Sequence, residues 1–264
     1  MIDTHAHIYF ESFDQGRDEV IVECRQKLDR LVNVGVDVKS SEQCVQLASR
    51  SEFQFAVVGF HPEEATVYEQ LGGTLDPVLV ELEQLIVANK KVVAVGEIGL
   101  DYHPQTIVVD PDLQKRWFEA QIKLAQRHSL PVVIHSRDAF DDTLAIIKKY
   151  TTQYNTLGVW HSFTENRYRL NQVLDVGLFV GVNGILTFPS AHELRDAIGT
   201  MPRDRLVLET DAPLLAPQAH RGERNTPVMV EYVARMVADL WGLSFDEVVR
   251  ITDENAYNLF SRMR

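Results

Sequence analysis

Short apolar runs rich in β-branched residues recur along the chain and alternate with amphipathic stretches. Most of these runs are continuously apolar, which is typical of parallel strands that are buried on both faces. The pattern therefore predicts eight strands, at residues 1–8, 31–36, 54–60, 92–96, 131–135, 158–161, 179–182 and 205–209.

Helical patterns fill most of the intervals between these strands. Several predicted helix starts carry capping signals: Ser41 as an N-cap, the pair Pro111-Asp112, and a capping box from Ser244 to Glu247. The predicted helices cover residues 18–31, 41–50, 77–89, 113–128, 139–149, 166–176 and 191–198, and two more at 227–240 and 244–260 close the chain.

Eight strands alternating with helices predict an α/β protein, a (β/α)8 TIM barrel with an additional C-terminal helix. The length of 264 residues suits one barrel, and no linker, composition shift or internal repeat divides residues 1–264. We therefore expect one domain. The rival architecture is an open doubly wound sheet, which is disfavoured because the chain lacks a glycine-rich dinucleotide turn.

Composition and charge narrow the classes of function. A hydrophobic fraction of 45% and a charged fraction of 24% are ordinary for a soluble globular protein. The chain carries 26 basic and 38 acidic residues, a net charge of −12, which argues against a long duplex-DNA footprint. A small site in which bound cations supply the positive charge stays compatible with this balance.

The apolar runs and the cysteines predict a cytoplasmic protein. The longest apolar runs are far shorter than the ~20 residues that cross a bilayer. Met1 runs directly into Ile2-Asp3-Thr4-His5-Ala6-His7, which leaves no room for a secretory leader. Cys24 and Cys44 have no metal-site or redox spacing, so we expect buried free thiols in a reducing compartment.

Histidines and carboxylates occur where predicted strands end. The C-terminal ends of barrel strands and the loops after them form one rim, so such side chains converge there. His5 and His7 are two apart on a strand and point to the same face, which suits chelation of a divalent cation. Taken alone, this pair could be an incidental surface pair. The predicted metal ligands are His5, His7, Glu97, His135, His161 and Asp211.

Glu97 follows a strand that is otherwise apolar. A buried carboxylate is costly unless it is paired or bound to a metal. Two alternatives follow: a salt bridge to Arg137, or a carboxylate that bridges two metals. Four histidines and two carboxylates exceed what one tetrahedral ion needs, which favours a two-metal site.

Other residues on this rim have candidate catalytic or supporting roles. Asp211 is a predicted ligand and proton acceptor, with a loop N-cap as the alternative. Glu209 and Asp101 are candidates to orient ligand histidines. His61 is a catalytic candidate that contacts phosphate or protonates a leaving group; the alternative is a structural loop histidine.

Three arginines lie in loops on the same predicted rim. A guanidinium group suits phosphate because it donates two parallel hydrogen bonds. Solvated surface arginines are the alternative. The predicted phosphate-binding residues are Arg137, Arg221 and Arg224.

Seven short segments of the chain resemble those of the TatD-type metal-dependent deoxyribonucleases, a branch of the metal-dependent hydrolase superfamily built on the (β/α)8 barrel. The resemblance runs nearly end to end and implies the same six metal ligands, with His61 in the catalytic pocket. Related amidohydrolases often carry a carboxylated lysine where this chain has Glu97, which weakens an amidohydrolase assignment. The matching segments are DTHAH at 3–7, GFHP at 59–62, GEIGLDY at 96–102, LPVVIHSR at 130–137, HSF at 161–163, ETDAP at 209–213 and RGERNTP at 221–227.

The expected function is divalent-metal-dependent hydrolysis of a phosphodiester by a metal-activated water, with Asp211, His61 and Glu97 as catalytic residues. By resemblance, the substrate is DNA, trimmed as a single strand from its 3′ end. Two Mg²⁺ or Mn²⁺ ions are expected, with Zn²⁺ as the alternative. The alternative functions are a deacylase, esterase or amidohydrolase acting on a small ester, lactone or aminoacyl ester, and a non-catalytic binding barrel.

Overall fold

Eight parallel strands form the centre of the structure, a computed structural model that describes residues 1–103, 110–154 and 157–264. All eight predicted strands are confirmed. The fourth is longer than predicted and runs through Glu97, and the others begin or end within a few residues of the predicted bounds. The strands are β1 Ile2–Ala6, β2 Arg30–Val34, β3 Gln54–Val58, β4 Val92–Asp101, β5 Val132–Arg137, β6 Gly158–Trp160, β7 Phe179–Val182 and β8 Leu206–Leu208.

The strands pair in sequence order, β1 to β8, each parallel to the next. The barrel closes between β1 and the segment that follows β8. There, Ala6 forms a parallel bridge with Ala212, Asp211 N donates to His5 O at 2.9 Å, and His7 N donates to Ala212 O at 2.7 Å. The predicted (β/α)8 barrel is confirmed, and its closing seam joins three candidate metal ligands.

Ten helices surround the barrel in the described part of the chain. Among the described residues, no helix is long and apolar enough to span a membrane. The helices are α1 Arg17–Lys27, α2 Val38–Ser49, α3 Pro62–Gln70, α4 Leu75–Ala88, α5 Pro111–Arg127, α6 Phe140–Tyr154, α7 Arg167–Asp175, α8 His192–Thr200, α9 Val230–Trp241 and α10 Phe245–Leu259.

Two features of the helices differ from the sequence prediction. The N-cap of α2 is Asp37, not Ser41: the Asp37 carboxylate accepts from Ser40 N at 2.6 Å. Ser41 lies inside the helix, where its hydroxyl donates to Gly59 O. Helix α3 was not predicted because only Pro62, Ala65 and Thr66 are buried on it, so no apolar stripe marks it. The predicted starts of α5 and α10 are confirmed, the latter with its capping box.

The N-terminal end of the barrel is apolar and is covered by α10 and the turn after it. Asn255 of α10 donates to Leu206 O at the start of β8, and Arg262 donates to Val92 O at the start of β4. Phe260 and Met263 pack against the apolar residues that the strands turn inward at this end. The additional C-terminal helix is therefore confirmed, and it closes the end of the barrel opposite the candidate site.

Candidate metal centre

The Glu97 carboxylate is buried at the C-terminal mouth of the barrel, and its Oε2 atom faces one group of side chains. Oε2 lies 3.4 Å from His5 Nε2 and 3.8 Å from His7 Nε2. The two imidazoles meet Nε2 to Nε2 at 3.2 Å. Asp211 completes this group, with Oδ1 at 3.2 Å from His7 Nε2 and 3.7 Å from His5 Nε2.

The other carboxylate oxygen of Glu97, Oε1, faces a second group. It lies 2.7 Å from His135 Nδ1 and 3.7 Å from Nε2 of both His61 and His161. The His161 ring stacks on the His5 ring with 3.5 Å between centroids, so the two groups are in contact. The two carboxylate oxygens of Glu97 therefore face different groups of histidines.

Gly96 and Gly99, on either side of Glu97, allow the buried strand β4 to direct this carboxylate into the site. The pairing register of β4 and β5 shifts between Val95 and Ile98, and such irregularities turn a side chain toward a site. A Cβ atom at Gly96 would lie 2.5 Å from the Val133 side chain, and one at Gly99 would lie 1.9 Å from His135 O. Any larger residue at these positions would push β4 away from β5 and its histidine.

The far ring nitrogen has a hydrogen-bond partner in His7 and His135 and a nearby carboxylate in His161. His7 Nδ1 donates to Val34 O at 2.7 Å, which leaves the Nε2 lone pair facing the site. His161 Nδ1 lies 3.0 Å from Glu209 Oε1, and His135 Nε2 lies 3.0 Å from Asp101 Oδ2. These contacts confirm the positions expected for Glu209 and Asp101.

His61 differs from the other histidines because its second partner is a donor. It is the N-cap of α3, and its Nδ1 accepts from Glu63 N at 3.3 Å. Burial, together with the nearby His135, lowers the pKa of His61 to about 3, so the ring is neutral. A neutral ring whose Nδ1 accepts carries its proton on Nε2, the atom that faces Glu97. His61 therefore presents an N–H donor to the cavity.

Electrostatics within the site favour cationic charge beside Glu97. Burial opposes charging of His135, but its hydrogen bonds to Asp101 and Glu97 raise its pKa to about 9. Burial likewise opposes charging of His161, whereas the charges of Glu209 and Glu97 raise its pKa to about 10. Despite its burial, Glu97 has a pKa well below the usual range because of the His161 charge and the His135 hydrogen bond.

The donor set fits divalent metal ions. His5, His7 and Glu97 offer ligand atoms within 4.8 Å of one another, and His135 Nδ1 lies 2.7 Å from the other carboxylate oxygen of Glu97. The Nε2 atoms of His5 and His7 lie 3.2 Å apart and within 3.8 Å of Glu97 Oε2, close enough for one cation to bind all three atoms. Imidazole nitrogens with carboxylate oxygens form sites for Zn²⁺, Mn²⁺ and related ions.

Arg137 lies at the rim of this cavity and not against Glu97. Its Nη1 atom is 3.8 Å from Asp101 Oδ2, so the salt bridge from Arg137 to Glu97 weighed from the sequence is not formed. Arg221 stacks over Phe188 and Arg224 over Phe13, at 4.8 Å and 4.7 Å to the ring centroids. Neither is among the described residues that line the cavity.

The cavity above Glu97 has a volume of about 620 Å³. Beside the histidines and carboxylates, the cavity is lined by apolar side chains that were not predicted from the sequence. Only the sequence position of Leu214 and Leu215, three and four residues after Asp211, could have indicated them. The apolar lining residues are Phe10, Val36, Ile185, Leu214 and Leu215.

A (β/α)8 barrel with this cluster at its C-terminal mouth defines the class of metal-dependent hydrolases. The chain matches the family model "TatD related DNase" over residues 2–261. It is 35% identical over 261 residues to the uncharacterized metal-dependent hydrolase YabD of Bacillus subtilis, with 98% of each chain covered. It is 30% identical to the 3'-5' ssDNA/RNA exonuclease TatD of Pectobacterium carotovorum, covering 98% of this chain and 99% of that protein.

Comparison with solved structures also gives a match to a TatD homologue. The crystal structure of YJJV, a TatD homologue from Escherichia coli, matches with a TM-score of 0.87 and 30% identity, covering 99% of this chain and 98% of that one. The chain belongs to the TatD family of metal-dependent hydrolases.

Proposed function

We propose that this protein is a deoxyribonuclease that hydrolyses phosphodiester bonds and trims single-stranded DNA from its 3′ end. In this proposal residues 1–264 act as one barrel domain. Family membership and the name of the Pectobacterium relative support a nucleic-acid substrate. The net charge of −12 supports a short contact at a strand end in preference to a long duplex surface.

The two-sided contacts of Glu97 carry the proposal. Its Oε2 faces His5 and His7, whereas its Oε1 faces His135. We therefore propose that the site would hold two divalent ions, Mg²⁺ or Mn²⁺ in preference to Zn²⁺, with Glu97 contributing to both. When bound, such ions supply an acidified water and neutralise charge on phosphoryl oxygens. The proposed ligands are His5, His7, Glu97, His135, His161 and Asp211.

Side chains of the cavity supply proton transfer and orientation. Asp211 lies 8% exposed at the barrel seam and is proposed as the acceptor of the water proton. The N–H that His61 directs into the cavity is proposed to donate to a phosphoryl or leaving oxygen. Arg137 lines the cavity and is proposed to bind phosphate there, with Arg221 and Arg224 contacting the strand farther out.

Labelled single- and double-stranded oligonucleotides, assayed across a metal series, test the proposal. We expect cleavage with Mg²⁺ or Mn²⁺ and its loss on addition of EDTA. His135→Ala and Asp211→Ala should abolish activity, whereas His192→Ala, outside the cavity lining, serves as a matched control. Full activity in either site variant would overturn the assignment. Turnover of lactones or aminoacyl esters without DNA cleavage would assign the site to carbonyl chemistry.

A further inference from the structure

Apolar side chains line part of the cavity beside the candidate metal ligands and contribute no ligand atoms. Leu214 is 51% exposed, although it lies three residues after Asp211. Phe10 stacks on the His7 ring with 5.1 Å between centroids. Ile185 and Leu215 complete this surface, which we call the apolar wall: Phe10, Ile185, Leu214 and Leu215. Apolar groups kept open to solvent inside a concave site are typical of ligand contacts.

The backbone holds Leu214 and Leu215 firmly. The fully buried Asn225 side chain donates to Thr210 O and Leu214 O. Leu214 N donates to Asp211 O at 2.9 Å. One short loop therefore carries both the candidate ligand Asp211 and the wall residue Leu214, at a fixed spacing.

Leu215 is also held in a conformation that leucine rarely adopts. Its φ of +54° lies in the left-handed region, and a Cβ atom on Gly184 would lie 2.1 Å from Leu215 O. Such conformations are disfavoured for residues other than glycine and persist where the surroundings impose them, often at functional sites. The close approach at Gly184 and the Asn225 hydrogen bonds supply that constraint.

We propose that the apolar wall is a subsite for the unstacked nucleobase at the end of a single DNA strand, adjacent to the phosphodiester that is cleaved. This inference rests on the proposed deoxyribonuclease function. A nucleotide combines an anionic phosphate with an apolar base face, and the cavity lining combines Arg137 and the candidate metal ligands with the apolar wall. Arg137 and the candidate ligands face the phosphate, and Leu214 faces the base.

Such a subsite would favour single strands over duplexes. The terminal base of a single strand is free to leave its neighbour and contact the wall, whereas a duplex end must first lose pairing and stacking. The distance from Asp211 to Leu214 is set by three residues of one loop, so the base that is held belongs to the nucleotide beside the reacting phosphate.

Matched oligonucleotides test the subsite. One ends in a normal 3′ nucleotide, and the other ends in an abasic tetrahydrofuran residue at the same position. We expect wild-type kcat/KM to favour the normal end by about tenfold, mainly through KM, since contact with one apolar side chain contributes this order of binding. Leu214→Ala should bring this ratio close to one. Leu71→Ala removes a leucine that is 83% exposed outside the cavity lining and should leave the ratio at its wild-type value.

The outcomes test the subsite and the proposed deoxyribonuclease function separately. Equal cleavage of both ends by the wild type would overturn the subsite while leaving the deoxyribonuclease intact, and so would a Leu214→Ala variant that keeps the wild-type ratio. Absence of cleavage at both ends would overturn the proposed function itself. In that case, Leu214-dependent hydrolysis of a long-chain lactone would assign the wall to an acyl chain.

Discussion

The two ends of the barrel are built from the same eight strands and have opposite chemistry. At the N-terminal end, the inward side chains are apolar, and Phe260 fills the space beneath them with no exposed surface. At the C-terminal end, buried positions carry histidines and carboxylates around Glu97. One end is closed by a helix, and the other opens into a cavity of about 620 Å³.

The difference shows how one fold separates stability from chemistry. Apolar burial at the closed end stabilises the fold directly. At the open end, burial of ionisable groups is costly unless they are paired or bound to cations. Substitutions at the closed end should therefore change the free energy of unfolding, and those at the open end should change metal binding and turnover.

The largest effect is expected from Glu97→Gln. An amide oxygen can bind one ion, but the neutral NH2 group cannot bind a second, so the bridge between the two proposed ions is lost. We expect about one bound metal in place of two and a decrease of roughly a thousandfold in kcat/KM. Metal analysis of the dialysed protein together with nuclease assays measures both. Glu254→Gln, at an exposed position of α10, is the control, and retention of two metals in Glu97→Gln would contradict the bridging role.

Phe260→Ala tests the closed end. Removal of this fully buried ring should lower the free energy of unfolding by about 3 kcal/mol, because it deletes apolar contacts and leaves a cavity. Urea denaturation measures the loss, with Phe260→Leu as the milder replacement. Metal affinity of the folded fraction should stay at the wild-type value. A large decrease in that affinity would show that the two ends are not independent.

Asp101→Asn tests the support of a candidate ligand. His135 Nε2 would keep an acceptor but lose its charged partner, so we expect metal affinity to fall by roughly ten- to a hundredfold. Calorimetric titration with Mn²⁺ measures this change. Asp101→Ala should have a larger effect than Asp101→Asn. If both variants bind metal as the wild type does, Asp101 has no orienting role.

The smallest effect is expected from Arg137→Lys. The side chain is 46% exposed and lies at the rim, where lysine keeps the charge but loses the two parallel hydrogen bonds to phosphate. We expect KM for oligonucleotides to rise by only a few fold, with kcat little changed, because the interaction is partly exposed to solvent. Steady-state kinetics at two salt concentrations measure the change. A loss of kcat equal to that in Asp211→Ala would instead place Arg137 at the reacting group.

Part of this molecule could be predicted from sequence because its signals are local. Continuous apolar runs indicated every strand, and carboxylates or histidines at strand ends indicated which residues meet at the mouth of the barrel. Glu209 and Asp101 were identified as partners of histidines because they stand on the same rim. The ligand assignment itself stays a prediction until metal is measured.

The remaining features depend on contacts that have no sequence signal. The acceptor for His7 is the main-chain carbonyl of Val34, which any residue would supply. The capping role of His61 became visible only with α3, a helix without an apolar stripe. The apolar wall joins Phe10 near the start of the chain to Leu214 near its end, and only the closed barrel brings them together.

The seam between β1 and the residues after β8 also sets an order of events during synthesis. His5 and His7 are synthesised before the backbone that fixes them, at Asp211 and Ala212, because that segment follows all eight strands. A nascent chain that ends before Asp211 holds these two imidazoles without one of their two carboxylate partners, the other being Glu97. We expect such a chain to bind metal more weakly than the closed barrel, because it lacks both Asp211 and the backbone contacts of the seam.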